Sequence, residues 1–124
     1  MRVRCIALLD EVSGTPDAES NWLTIGREYV VLSIHMLPGG KVNFLILSDD
    51  NEIPVLLESS QFIITSGALP ESWVVAVDLN GCLVFSPAAW LRAGFWEDYH
   101  NEDQDAEETF VKYVSEIVQF STEG

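Results

Sequence analysis

The chain has 124 residues, enough for one domain with one core, and 48% of them are hydrophobic, which excludes disorder for most of its length. Acids outnumber bases 20 to 6, for a formal net charge of −14. Such a surface repels nucleic acid and anionic membrane and attracts basic proteins or cations. We read residues 1–124 as a single domain, mainly β over 1–85 and helical and acidic over 86–124.

The charge is unevenly placed. Glu97, Asp98, Glu102, Asp103, Asp105, Glu107, Glu108, Glu116 and Glu123 face the single base Lys112, so residues 97–123 carry −8 of the total −14. The opening residues have Arg2, Arg4 and a short apolar run, but Asp10 and Glu11 follow at once, which reads as a first strand and not a signal peptide. No run approaches the roughly 18 apolar residues that a bilayer crossing needs. Cys5 and Cys82 both sit in strand-like surroundings, so a disulfide framework is not expected. A bacterial cytoplasm is the natural compartment.

In chain order, residues 2–9 read as a strand and 12–21 as a polar loop of turn formers. Trp22 and Leu23 lead into 24–36, whose β-branched and aromatic content predicts strand, with Gly26 at a tight turn or bulge. Residues 38–41, Pro-Gly-Gly-Lys, are the clearest hairpin turn, followed by strand 42–47 and a turn over 48–52. Residues 53–57 and 61–64 read as short strands, Pro54 suiting an edge. Strands 73–79 and 82–85, joined by Asn80-Gly81, form a hairpin in which both turn residues tolerate positive φ. This makes seven strands before the first helix.

Ser86 and Pro87 predict a helix start, serine as N-cap and proline at the first helical position, with Gly94 as the stop. A second helix is expected from near Asp105, whose side chain can cap the exposed amides while Glu108 completes a capping box. Ala106, Phe110, Tyr113, Val114, Ile117 and Val118 fall on one apolar face of that helix.

Leu23, Thr24, Gly26, Tyr29 and Val31 make the stretch LTIGREYVV similar to the opening of small bacterial SH3-like barrels, with Val31 one residue late. The resemblance covers residues 22–65 and concerns fold alone. The expected architecture is α+β: an SH3-like barrel or strongly curved antiparallel β-sheet with two C-terminal helices.

Catalytic chemistry finds little support. Glu97 and His100 form Glu-x-x-His, which puts a carboxylate and an imidazole on one helix face, but di-iron proteins need two such motifs and two further glutamates on four helices. Asn101, Asp103 and Asp105 alternate like calcium-loop ligands, yet Ala106 stands at the sharp-turn glycine position and Lys112 at the bidentate glutamate position. That excludes an EF-hand and leaves a surface cation site open. No nucleophile elbow, phosphate loop or dinucleotide fingerprint is present. His35 reads as a tolerated strand residue and Cys82 as a structural thiol. No cofactor is expected.

The aromatic residues Trp90, Phe95, Trp96 and Tyr99 adjoin the acids. Trp90 and Phe95 are expected to seal the core, while Trp96 and Tyr99, beside Glu97 and Asp98, can stand partly exposed. Aromatic anchors rimmed by carboxylates suit the capture of a basic partner. Pro87, Trp90, Gly94, Phe95, Trp96 and Glu97 also give the last third of the chain a P-x-W…GFWE pattern, which resembles the immunity proteins of polymorphic or contact-dependent toxin systems. The resemblance implies stoichiometric inhibition of a basic cognate toxin, often a nuclease, with no chemistry. The expected contact surface is Trp96, Glu97, Asp98, Tyr99, Glu102, Asp103 and Asp105. The alternative from another class is a structural or adaptor module that self-associates or joins a larger assembly through a β edge. A third reading is a hydrolase using carboxylates and His100 with a metal.

Overall fold

The computed structural model describes residues 1–8, 23–49 and 53–123, the last without its side chain. The expected loop 12–21, Trp22 and most of the turn 48–52 therefore lie outside the described residues. The fold is α+β, with two antiparallel sheets and two helices. Strands β1 (Arg2–Cys5), β2 (Glu28–Val30), β3 (Ser33–Met36), β4 (Val42–Leu47), β5 (Pro54–Glu58), β6 (Phe62–Ser66), β7 (Trp73–Val77) and β8 (Leu83–Pro87) precede helices α1 (Phe95–His100) and α2 (Gln104–Glu123). The small sheet runs β2-β1-β6 and the large one β5-β4-β3-β8-β7. No ladder among the described residues joins the two, so they stand as two open sheets.

There are eight described strands where seven are expected, because the stretch 24–36 changes sheet. Val31 donates its amide to the Met1 carbonyl in the small sheet, and Leu32 donates to the Leu45 carbonyl in the large one. Their side chains point to opposite faces, as successive strand residues do. Val31 enters a core between the sheets with Val3, Cys5, Tyr29, Phe44, Ile46, Leu57 and Phe62. Leu32 enters a second core, on the far face of the large sheet, with Leu45, Trp90, Phe95, Phe110 and Ile117. The same alternation sends Phe44 and Ile46 one way and Leu45 the other, which is why the central strand β4 reads as an almost unbroken apolar run.

The first strand stops at Cys5, short of the expected residue 9. Its partner β6 begins at Phe62, so beyond Cys5 the amides of Ile6 and Ala7 turn to the Gln61 carbonyl in a 3-10 turn. The Asn80-Gly81 turn is also longer than the two residues expected. Asp78 and Cys82 already pair across it, the Asp78 carboxylate accepts the Asn80 and Cys82 amides, and Gly81 alone takes a positive φ, 81°. That is a three-residue turn closed by a left-handed glycine.

Ser86 and Pro87 do not start a helix. Both are still in β8, paired with Val74 and Trp73, and the Ser86 hydroxyl donates to the Pro87 carbonyl. Extended backbone held by a ladder cannot cap, and only a 3-10 turn, Ala88–Leu91, follows. Gly94, expected to end that helix, instead opens α1 at φ 80°. A Cβ there would meet nothing closer than Arg92 Nη1 at 3.9 Å, so the backbone angle and not space calls for glycine. Helix α2 is capped by Asp103 and not by Asp105: Asp103 Oδ2 accepts the Ala106 amide at 3.0 Å and its carbonyl accepts the Glu107 amide. Glu108 pairs with the Gln104 side chain and not with a cap. Of the predicted apolar face, Ala106, Phe110 and Ile117 are buried on the second core and Tyr113 and Val114 pack against it, but Val118, about 100° round the helix from Ile117, is exposed.

Candidate functional site

The acidic block follows from how α1 ends. Its last carbonyls are satisfied by the Asp103 amide on Asp98 and the Glu102 amide on Tyr99, a Schellman turn with Glu102 in the left-handed position at φ 61°. Glycine is the usual occupant, because a side chain there crowds the backbone. The turn aims α2 back over the large sheet and leaves Glu102 at the corner, exposed.

Beneath that corner lies an aromatic cluster. Trp90 and Phe95 are only 2% and 1% exposed. Trp90 stacks on Phe110 at 5.2 Å between ring centroids, and Trp96 meets Trp90 edge-on at 5.7 Å. Tyr99 lies 4.8 Å from Phe110. Burial holds the Tyr99 hydroxyl above the usual tyrosine range, with the Glu107 charge adding to it. Trp96 and Tyr99 are half-buried, so each gives one side to the cluster and one to solvent.

The expected contact residues thus divide. Glu97, Glu102 and Asp105 are exposed with no cation beside them among the described ion pairs. Asp98 is half-buried and paired with Arg92 at 3.0 Å. Asp103 is exposed but commits one oxygen to its cap. Glu107 and Glu108 lie on the exposed face of α2 and extend the same surface. Sequence reasoning counted their charge without placing them in the site, although their position in the first turns of an amphipathic helix signals it.

His35, read from sequence as a tolerated strand residue, lines a cleft of about 260 Å³ between β3, β8 and α1, with Asp78, Trp90, Trp96 and Glu97 among the other walls. Its Nε2 lies 3.0 Å from the Ser33 hydroxyl. Burial depresses the imidazole pKa, with the Asp78 charge opposing that shift. Serine, histidine and aspartate on one cleft have the composition of a nucleophilic site, but Ser33 is 1% exposed and Asp78 Oδ1 is engaged by two backbone amides. His100 and His35 both line a second cleft of about 250 Å³, together with Trp96. Among the described residues no three His, Cys, Asp or Glu side chains are placed to hold a metal ion. Both cysteines are free.

Comparison of the chain with protein-family models, with curated proteins and with solved structures returns no match. The chain's own residues therefore carry the functional reading. No described helix is long and apolar enough to cross a membrane.

Proposed function

We propose that the chain is a non-enzymatic acidic binding protein of immunity type, which neutralises a basic cognate toxin by stoichiometric contact in the cytoplasm. The observation that carries this reading is Glu102. A glutamate holds the left-handed position at the α1–α2 corner, where glycine would cost less, and it stands exposed, as Glu97 and Asp105 do. Strain tolerated at an exposed, charged corner fits selection for the charge at the expense of stability. The half-buried rings of Trp96 and Tyr99 supply rigid apolar anchors, and the acids with no ion pair among the described residues supply steering.

The scaffold reading is SH3-like. The order β6-β1-β2, the bend at Val31 and Leu32 into β3 and the hairpins through β4 and β5 support that reading. On it, β7, β8 and the helices are additions that carry the acidic surface.

The test is affinity capture from native lysate at low and high salt, beside a variant carrying Glu97→Lys, Glu102→Lys and Asp105→Lys. None of the three side chains makes a cap or an ion pair among the described residues, so the fold should persist. One basic protein held at equal stoichiometry, lost at high salt and lost in the variant, is the expected result. Undiminished capture by the variant overturns the site, and no basic partner at low salt overturns the function.

A further inference from the structure

An outer strand of a sheet presents unpaired backbone N–H and C=O groups, and proteins ordinarily blunt it with a charge, a proline or a bulge. Among the described residues the two sheets have four outer strands, β2, β6, β5 and β7. β2 carries Glu28, β5 begins at Pro54 and ends at Glu58, and β6 is irregular where its pairing with β1 slips between Arg2 and Val3. β7, Trp-Val-Val-Ala-Val, has none of these devices. Its Val74, Val75 and Val77 are 40%, 57% and 67% exposed, and consecutive residues point to opposite faces, so both faces of this edge are apolar and open.

The hairpin fixes which backbone groups are free. Asp78 donates its amide to the Cys82 carbonyl, so in this antiparallel ladder the even-numbered residues of β7 face β8. The amides and carbonyls of Trp73, Val75 and Val77 then point outward, the Trp73 amide being taken by the Pro70 carbonyl at 3.2 Å.

We propose that this edge pairs antiparallel with β7 of a second copy of the chain, about a two-fold axis at Val75, so that the two large sheets become one. In that register Val75 faces Val75, Trp73 faces Val77 and Val74 faces Ala76. The outward groups match: the two Val75 residues exchange bonds across the axis, and each Val77 amide reaches the other copy's Trp73 carbonyl. Glu71 falls opposite Leu79 and Asp78 opposite Ser72, so no carboxylate meets another. A slip of two residues in either direction sets Glu71 against Val77 or Asp78 against Val74, which disfavours it. The seam continues an apolar strip, since Val75 and Val77 pair with Phe85 and Leu83, and Phe85 and Leu83 with Ile34 and Met36.

The occupant is a copy and not a basic partner because the strand carries no charge to select one. Two chains of −14 repel, so salt should tighten this contact, whereas salt loosens capture of a basic protein. The two associations are thereby distinguishable, and this one rests on β7 and not on the acidic corner.

The experiment is sedimentation velocity of the full chain across concentration at low and high salt. A species of twice the chain mass that grows with concentration and with salt is expected. Val75→Pro removes an amide that β8 does not use and should leave the circular dichroism unchanged while abolishing the dimer. Val75→Lys makes the same test through charge if the proline variant fails to fold. A wild-type chain that stays monomeric up to millimolar concentration, or a dimer unaffected in a folded variant, overturns the proposal.

Discussion

The Tyr29 hydroxyl donates to Asp49 Oδ1 at 2.8 Å and accepts the Thr24 amide at the same distance. Asp49 also takes bonds from the Thr24 hydroxyl and from Arg27. One carboxylate thus ties the turn before β2 to the end of β4. Tyr29→Phe leaves the Thr24 amide without its acceptor and should cost about 1–3 kcal/mol in urea denaturation. Burial raises the Tyr29 pKa first; the Thr24 bond lowers it and Asp49 raises it again. Because the folded value lies above the ordinary 10.0, this stabilisation is full below pH 10 and is lost as pH rises through the folded value. The phenylalanine variant should show a shallower alkaline decline.

Trp90 is the keystone of the second core, touching Trp96, Phe110 and Tyr113. Trp90→Ala should destabilise by about 3–5 kcal/mol, while Trp96→Ala, half-buried, should cost less. Chemical denaturation of both variants checks the order, and equal losses would contradict it.

Glu102→Gly relieves the left-handed strain and should raise stability by about 1 kcal/mol. On the proposed function the same change weakens capture of the basic partner. A thermal melt read beside a binding assay should move in opposite directions.

His35 is held below the ordinary 6.5 by burial, against the charge of Asp78, the group that faces it from the β7–β8 turn. A depressed base is favoured neutral in the fold, so its contribution is full above pH 6.5 and is lost as pH falls through the lower folded value. Replacing it, His35→Gln, should flatten the stability profile below pH 6.5 while leaving the alkaline limb unchanged.

Periodicity made much of this architecture legible. β-Branched and aromatic runs bracketed by turn residues located the strands, the spacing from Ala106 to Ile117 gave the buried face of α2, and the proline-glycine and asparagine-glycine pairs marked hairpins that form. Capping was misread at both helix starts. Ser86 is a good cap by type, but its backbone is held in the β8 ladder, and Asp103 reaches the α2 amides before Asp105 can. Local propensity cannot see a partner strand or the turn that precedes a helix.

By itself the sequence determined that the chain is α+β, very acidic, and concentrates its charge near the end of the chain, because composition and short-range spacing are local quantities. Only the tertiary structure decided that Val31 and Leu32 part into separate cores and that, among the described residues, Asp98 is paired and Glu97 is not and β7 is left as an outer edge. Each of these depends on which distant segment comes to lie alongside, and long-range pairing leaves no period in the chain.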